Sequence, residues 1–373
     1  SFKMSELTHC SICGCALEDE AECYEVENEI LCQDCYDNET VVCDHCGERC
    51  LEQNTVSDEN TILCTDCYDN HYYRCSNCET IVHSDDTYWR GDNAYCRECY
   101  DDCCDSGDYI NDYYYKPKPV FYKLPKEDNV RFYGVELEID GAGRYDDNAE
   151  KIYDTANGQN EVLYIKSDGS LDEGMELVSH PCSIDFHREK FPWEDIVRKA
   201  LSLGYRSHNT STCGLHVHIG RKQLAYSYEE QEEVISRIMF FFESHWNELF
   251  KFSRRTAYSV DRWAARHGYN DKPKEILEKA KKSTKGRYAC VNITNADTVE
   301  IRLFRGTLKF NSFMATLELV DSICQNAVCL NDDDMNKQSW ADFVLSIKPE
   351  YTELIRYLKE KRLYVNEPVS EED

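Results

Sequence analysis

Pairs of cysteines in the pattern Cys-x-x-Cys recur through the first third of the chain and constrain its fold more than any other feature. The pairs repeat with a period of 32 to 33 residues, and the two pairs of each repeat are separated by 17 or 18 residues. The last cysteine of each repeat is followed by Tyr-Asp and then by Asn or Asp. This regularity predicts three copies of one small structural module.

Each module supplies four thiols at the spacing of a tetrahedral zinc site. The predicted ligands are Cys10, Cys13, Cys32, Cys35, Cys43, Cys46, Cys64, Cys67, Cys75, Cys78, Cys96 and Cys99. We expect three structural Zn²⁺ ions, because the intervening residues, typical of short β-hairpins, are too few to form a core without metal. A secreted disulfide scaffold is the alternative. It is disfavoured by the Cys-x-x-Cys spacing and by opening residues that lack the pattern of a secretory signal.

Further cysteines and histidines of this region lie outside the repeat. They are Cys15, Cys23, Cys50, Cys103, Cys104, His9, His45, His71 and His83. Each could replace an assigned ligand, complete a further site or have no part in metal binding, and the spacing does not choose between these. The modules resemble zinc-ribbon and LIM-type modules, which implies that they hold a partner rather than perform chemistry.

Charge divides the chain at the same place as cysteine. The formal net charge is −29, and residues 1–115 hold 28 of the acidic side chains but only 5 of the basic ones. A surface this negative repels phosphate backbones, and we therefore expect no nucleic-acid partner. A basic partner fits the charge better. Mean hydropathy is −0.66 and no apolar run is long enough for a membrane span, so we expect a soluble, cytoplasmic protein with no membrane partner.

Two prolines in Lys116-Pro117-Lys118-Pro119 favour an extended connection after the last module. We therefore predict zinc modules over residues 1–40, 41–72 and 73–115, a linker over 116–129, and one larger domain over 130–373.

The larger domain contains four predicted strands that carry polar residues on one face. Alternate residues of a strand point the same way, so Glu136 and Glu138 share a face of the first strand and His216 and His218 share a face of another. Two further strands present Glu176, and Glu300 with Arg302. Each strand alone could be an amphipathic edge strand with a solvated face, but solvated faces usually mix more residue types.

Gathering these carboxylates in one place has an electrostatic cost. Two carboxylates roughly 6–7 Å apart repel by about 2.5 kcal/mol at an effective dielectric near 20. A cluster therefore needs cations to stay ionised, and carboxylates with imidazoles suit Mg²⁺ or Mn²⁺, which also bridge nucleotide phosphates.

Five short motifs of this domain resemble, in order, those of the amidoligase family, a relative of glutamine synthetase and glutamate-cysteine ligase. They begin at Gly134, Asp168, Gly174, Cys213 and Thr298, and read GVELE, DGS, GMELVSHP, CGLHVH and TVEIRLFRGT. The resemblance spans roughly residues 130–330. It implies an α+β fold with a curved antiparallel sheet and flanking helices, as in glutamine synthetase. It further implies that the concave face of this sheet binds ATP and two or more Mg²⁺ ions. It also implies an ATP-dependent ligase that joins a carboxylate to an amine through an acyl phosphate.

The resemblance also implies roles for individual residues. Glu136, Glu138, Glu176, His216 and Glu300 correspond to metal ligands, and His218, with Glu136 and Arg302, lies beside the nucleotide. Arg302 corresponds to the group that neutralises the transferred phosphoryl, and Arg305 to one that holds a substrate carboxylate. Asp168 either positions substrate or only forms the turn that its Asp-Gly pair favours. Arg254, Arg255, Arg287 and Asn292 are further candidates for phosphate or substrate contacts.

Apolar stripes predict helices after Phe191, over Val234 to Phe252 and over Asn311 to Leu330. Residues 141–166 read as a loop or hairpin, and the segment after Lys337 as peripheral helical turns.

The leading hypothesis is thus a carboxylate-amine ligase whose zinc modules recognise a protein or peptide substrate. One alternative is a non-catalytic zinc adaptor with a degenerate ligase fold, although such a protein gains little from clustered carboxylates. Another is a metallohydrolase built around His216 and His218, although such sites usually need more downstream histidines than His245 and His267.

Overall fold

We describe a computed structural model of the chain over residues 8–17, 23–90, 92–103, 109–113, 115–207 and 213–364. Cys104 therefore lies outside the described residues. The chain forms two compact units, one containing residues 1–106 and 112–115 and the other residues 107–111 and 116–373.

The first unit consists of two-stranded antiparallel sheets and seven-residue helices that repeat along the chain. Its elements are β1 Thr8–His9, β2 Ala16–Leu17, β3 Tyr24–Val26, β4 Glu29–Leu31, α1 Gln33–Glu39, β5 Thr40–Val42, β6 Arg49–Leu51, β7 Thr55–Ser57, β8 Ile62–Cys64, α2 Thr65–His71, β9 Tyr72–Arg74, β10 Ile81–His83, β11 Tyr88–Arg90, β12 Asn93–Tyr95 and α3 Arg97–Cys103. The predicted hairpin around Tyr88 to Tyr95 is confirmed as β11 paired with β12.

Each helix of the first unit begins at a Cys-x-x-Cys pair. The Cys32 sulfur accepts a hydrogen bond from the backbone N–H of Cys35 at the start of α1, and the Cys64 sulfur accepts one from Cys67 at the start of α2. A thiolate in this position gains from the N–H groups that the first helical turn leaves without partners. The helix start therefore positions the second pair of each repeat.

The second unit is built on a seven-stranded sheet. Its strands are β13 Ile110–Asn111, β14 Tyr133–Ile139, β15 Leu163–Lys166, β16 Met175–Ser179, β17 Leu215–Gly220, β18 Val291–Asn292 and β19 Thr298–Ile301. They lie in the order β13-β15-β16-β14-β17-β19-β18. All the pairs are antiparallel except β13 with β15, so the expected antiparallel sheet is in fact mixed. The difference arises because residues before the predicted linker add an edge strand.

The second unit also contains helices that pack with the sheet. They are α4 Asp146–Ala156, α5 Ile184–Glu189, α6 Trp193–Ser202, α7 Tyr228–Ser244, α8 Trp246–Ser253, α9 Ala257–Trp263, α10 Pro273–Lys281, α11 Phe310–Cys329, α12 Asp332–Lys337, α13 Trp340–Ser346 and α14 Thr352–Glu360. Their buried apolar side chains and the apolar face of the sheet form one core. The fold is thus of the mixed α and β type that the sequence predicts.

Three helical expectations need correction. Residues 141–166 are not merely a loop or hairpin, because they contain α4 and β15, and the buried Ala149 and Ile152 of α4 occupy one helical face. The long stripe up to Phe252 forms α7 and α8, separated at His245, rather than one helix. The segment after Lys337 is not peripheral, since Phe343 and Leu354 are completely buried in the core.

His187 gives the second unit a specific acid sensitivity. Its Nε2–H donates to the carbonyl of Tyr133 at 2.8 Å, and its Nδ1 accepts the indole N–H of Trp193 at 3.1 Å. Burial lowers the pKa of this imidazole to about 4. Because this value lies below that of an unfolded histidine, its contribution to stability is complete above about pH 6.5 and is lost as the pH falls toward 4.

We expect the wild-type free energy of unfolding to fall by about 3 kcal/mol more than that of His187→Gln between pH 7 and pH 4. Urea unfolding of both proteins at the two pH values, followed by tryptophan fluorescence, measures the difference. Equal losses in the two proteins would show that His187 does not carry this sensitivity.

Within the part of the chain that the structure covers, no helix combines the length and apolar character needed to cross a membrane.

Candidate active site and metal centres

Polar side chains of the central strands form aligned rows across one face of the sheet. Strand register places Glu136 beside His216, Glu138 beside Glu176, and His218 beside Glu300. The intervening residues Val135, Leu137, Leu215 and Val217 point to the opposite face and are completely buried. Alternation in the sequence therefore becomes one polar surface supported by an apolar core.

The first polar group is formed by Glu136, His216 and Glu300. His216 Nδ1 lies 3.4 Å from a Glu136 carboxylate oxygen and 3.3 Å from Glu300 Oε1. Glu300 also accepts hydrogen bonds from Arg302 at 2.7 Å and from Asn292 at 2.8 Å. These bonds fix the carboxylate of Glu300 facing the imidazole.

The second group consists of Glu138, Asp168 and Glu176. One carboxylate oxygen of each lies within 4.8 Å of the others. Glu138 is anchored by the backbone N–H of Gly214 at 2.7 Å. Asp168 accepts hydrogen bonds from the N–H and hydroxyl of Ser170, so it forms the predicted turn and also joins this group.

Electrostatics differ between the two groups. Burial would raise the pKa of Glu136, but the charge and hydrogen bonds of His218 and His216 hold it well below its ordinary value. His218 responds in the opposite sense: burial would lower its pKa, but Glu136 and Glu300 raise it to about 9. Burial, followed by the charge of Arg302, lowers the pKa of His216, which favours the neutral imidazole that a metal requires.

The second group has an excess of negative charge. Burial, followed by the charge of Asp168, raises the pKa of Glu138 to about 8. Burial, followed by the charge of Glu136, raises the pKa of Glu176 well above its ordinary value. A divalent cation would remove this repulsion and restore the ionised carboxylates.

Both groups fit hard divalent cations. The donors are carboxylate oxygens and one imidazole nitrogen, as Mg²⁺ and Mn²⁺ prefer. Adjacent ligands of an octahedral Mg²⁺ with bonds of about 2.0–2.1 Å lie roughly 3 Å apart. The His216 contacts of 3.3 and 3.4 Å are close to that spacing.

Arginines border the second group. Arg302 leaves the end of β19 on the polar face, and its charge acts on Glu138 and His216. Arg305 forms a backbone bridge with Gly214, the residue that anchors Glu138. The structure therefore brings Arg302 to the groups and Arg305 to their edge.

Other candidate contacts have structural partners. The Arg255 guanidinium donates to the carbonyls of Leu303, Arg302 and Phe304, and Arg254 donates to Tyr357 and to the Arg305 carbonyl. Asn292 supports Glu300, and Arg287 contacts Tyr288. Arg255 and Arg254 therefore shape the loop that carries Arg305, rather than presenting free guanidinium groups.

Two motif glycines are required by close approach. A Cβ on Gly214 would lie 2.5 Å from His216 Nε2, and one on Gly174 would lie 1.9 Å from the Ile139 carbonyl oxygen. Gly214 leaves room for the His216 ring, and Gly174 lets the chain before β16 approach the end of β14, next to the pair formed by Glu138 and Glu176.

A cavity of about 570 Å³ opens at one end of the polar face. Glu136 and His218 are among the residues that line it. Its aromatic lining residues are Phe121, Phe132 and Tyr164, and its lysines are Lys116, Lys166 and Lys222. Such a volume is typical of sites for small molecules, and the cavity reaches the first polar group directly.

Sequence reasoning missed Asp168 as a member of the second group and Lys166 beside it. Strand register places Lys166 opposite Glu176. The alternate positions Tyr164, Lys166 and Asp168 could have indicated that these side chains share a face. That pattern was not used, because residues 141–166 were interpreted as a loop or hairpin.

Thiol clusters account for the cysteine repeat of the first unit. Cys43, Cys46, Cys64 and Cys67 form one cluster, and Cys75, Cys78, Cys96 and Cys99 form another. In the first module the four thiols lying within 4.8 Å of one another are Cys10, Cys13, Cys15 and Cys32. The predicted ligand Cys35 also contacts the thiols of Cys10, Cys13 and Cys32. The three clusters could each hold a zinc ion.

Sulfur–sulfur distances and the pKa of the first cysteine of each repeat support this use. The sulfurs of Cys13 and Cys32 lie 3.7 Å apart, as do those of Cys78 and Cys96. Two sulfurs bound at about 2.3 Å to a tetrahedral zinc lie roughly 3.8 Å apart. At Cys10, Cys43 and Cys75, burial would raise the pKa, but backbone N–H groups of neighbouring residues outweigh it and lower it to about 6. These thiols are thus prepared to bind metal as thiolates.

Comparison with known proteins gives one family. The family model described as "Putative amidoligase enzyme" matches residues 136–324. No curated protein matches the chain.

Proposed function

Because the chain belongs to this amidoligase family, we propose that its second unit is an ATP- and Mg²⁺-dependent carboxylate-amine ligase. The observation that carries the proposal is the presence of two clusters of metal-ligand type on one face of the sheet. They are the first polar group, Glu136, His216 and Glu300, and the second group, Glu138, Asp168 and Glu176. Membership supports amide-bond formation, and the two groups support a reaction in which phosphates are handled by divalent cations.

The cavity beside Glu136 is the proposed nucleotide site. Its aromatic and apolar walls suit a base, and its lysines suit phosphates. Glu136 and His218 lie where the cavity meets the first polar group, so the terminal phosphate would approach Glu136, His216 and Glu300. Bound Mg²⁺ would supply charge neutralisation to the phosphoryl oxygens.

The acid substrate would bind beyond the groups, on the side of Arg302 and Arg305. A carboxylate oxygen of the acid attacks the terminal phosphorus of ATP, and the bond from that phosphorus to the bridging oxygen breaks, which releases ADP. Arg302 is held by Glu300 at 2.7 Å and can stabilise the charge on the transferred group. The amine then attacks the acyl carbon, loses a proton and releases inorganic phosphate, leaving an amide or isopeptide bond.

The amine or acid partner is proposed to be a protein or peptide that the zinc modules recognise. Residues 1–115 contain 28 acidic and 5 basic side chains, so they favour a basic segment such as one rich in lysine. Reduced zinc thiolates are consistent with the cytoplasmic location predicted from the sequence.

Hydroxylamine tests the chemistry without knowledge of the natural amine. The full chain is incubated with ATP, Mg²⁺, hydroxylamine and a panel of free and peptide carboxylic acids. An acyl phosphate reacts with hydroxylamine to give a hydroxamate and phosphate, so we expect acid-dependent ADP release with an equal amount of hydroxamate.

Arg302→Lys should lower hydroxamate formation by about 10²-fold or more, because a lysine cannot reproduce the planar guanidinium contact. The exposed, helical Glu194→Gln serves as the matched control and should retain full activity. The proposal fails if the wild-type chain shows neither hydroxamate formation nor Mg²⁺-dependent ATP binding by calorimetry, a result that would favour the adaptor alternative.

A further inference from the structure

The first zinc module contains a thiol that the other two lack. Cys15 lies outside the repeated pattern, yet its sulfur lies within 4.8 Å of the sulfurs of Cys10, Cys13 and Cys32. Cys15 is also exposed. The module therefore gathers more thiols than the four that a tetrahedral zinc site uses.

Internal repetition identifies what stands at this position in the other modules. The backbone N–H of Cys10 donates to the carbonyl of Cys15 at 2.9 Å. The equivalent bonds, also 2.9 Å, join Cys43 to Glu48 and Cys75 to Thr80. The turn is thus the same in all three modules, and the residue that closes it is a thiol in the first module alone.

Cys35 contacts the same thiols as Cys15. Its sulfur contacts those of Cys10, Cys13 and Cys32, whereas Cys15 contacts those of Cys13 and Cys32 in addition to lying near Cys10. Three thiols are therefore common to both sets. Cys15 and Cys35 are therefore both placed to supply the fourth ligand beside these three thiols.

We propose that Cys15 is an alternative zinc ligand that exchanges with Cys35, and that the first module consequently holds a labile zinc ion. In the exchange a zinc–sulfur bond to one cysteine forms while the bond to the other breaks. The incoming thiol releases its proton to solvent and the departing thiolate takes one up, so the ion remains Zn²⁺ and no electron is transferred. The clusters of the second and third modules each contain only the four repeat cysteines among the described residues, so they hold their zinc without this route.

Two consequences follow for the module. Loss of Cys35 is tolerated because Cys15 completes the site, while loss of the equivalent Cys67 leaves three thiols in the cluster of the second module. Exchange between ligands also lets an external chelator attack while one thiol is detached, so zinc leaves the first module faster than it leaves the others. Neither consequence depends on the proposed ligase activity.

Zinc content of the full chain tests ligand replacement. Three variants are purified by gel filtration and their zinc content is measured by elemental analysis. They are Cys35→Ser, Cys67→Ser and a double variant that carries both Cys15→Thr and Cys35→Ser. Cys35→Ser is expected to retain three zinc ions per chain, and the other two variants are each expected to retain two. The proposal is overturned if Cys35→Ser loses one ion, as Cys67→Ser does.

Release kinetics provide a test in proteins that keep all twelve repeat cysteines. Transfer of zinc from the wild-type chain to a colorimetric chelator should show one fast ion and two slow ones. Cys15→Thr, which copies the third module, should remove the fast phase, and Thr80→Cys should convert a second ion to fast release. An unchanged fast phase in Cys15→Thr would overturn the proposal, as would slow release of all three ions from the wild-type chain.

Discussion

Replacement of Glu136 by glutamine is expected to abolish Mg²⁺-dependent nucleotide binding and to lower ligation by about 10³-fold. Glu136 contacts both histidines of the polar face and also lines the cavity, so it connects the first polar group to the proposed nucleotide site. Glutamine preserves the shape of the side chain but removes its charge. Calorimetry with a non-hydrolysable ATP analogue, with and without Mg²⁺, measures binding, and the hydroxamate assay measures ligation.

A matched comparison separates chemistry from folding. Glu138→Gln, on the same strand, removes a carboxylate from the group with excess negative charge, so it should lower activity without destabilising the metal-free protein. Glu136→Gln removes the nearer of the two carboxylates that pair with His218 and should therefore destabilise that protein. Full nucleotide binding in folded Glu136→Gln would contradict the assignment of the first group.

Removal of zinc is expected to unfold the first unit and leave the second folded. The described strands of the first unit have two or three residues each, and its two small apolar clusters include the zinc thiols themselves. Without metal these sheets have too little buried surface to offset the chain entropy lost on folding. The second unit has its own large core, which contains none of these thiols.

Hydrogen exchange read by mass spectrometry, after treatment with a strong chelator, resolves the two units. Peptides from residues 23–90 should reach the exchange rate of an unfolded chain, whereas peptides over β14 and β17 should stay protected. Addition of Zn²⁺ under reducing conditions should restore the protection. Persistent protection of residues 23–90 in zinc-free protein would show that the modules have another source of stability.

The parts of the fold and site that could be predicted from the sequence are those that depend on the alternation of apolar and charged residues along a strand. β14 and β16 begin and end where the alternation does, because one face must meet the core and the other carries the charged groups. The contacts between Glu136, His216 and Glu300 agree with the expectation that distant segments meet in one place.

Features that depend on tertiary context were not predicted. Residues 141–166 contain glycines and polar residues that suggest a loop, yet burial of Ala149 and Ile152 stabilises a helix over Asp146–Ala156. The edge strand β13 has only two residues and acquires its identity by pairing with β15. Cys15 could not be assigned from spacing, because only the folded turn brings its sulfur to the other thiols.

The placement of Glu136 and Glu138 on one extended strand has a genetic consequence. Each belongs to a different acidic group, and both depend on which way alternate residues of β14 face. An insertion or deletion beside β14 that shifts the whole strand by one residue would turn the two carboxylates inward together and bring apolar side chains to the polar face. A shift of this kind cannot remove one cation position while sparing the other, so a lineage that loses the chemistry by this route also loses the folded scaffold.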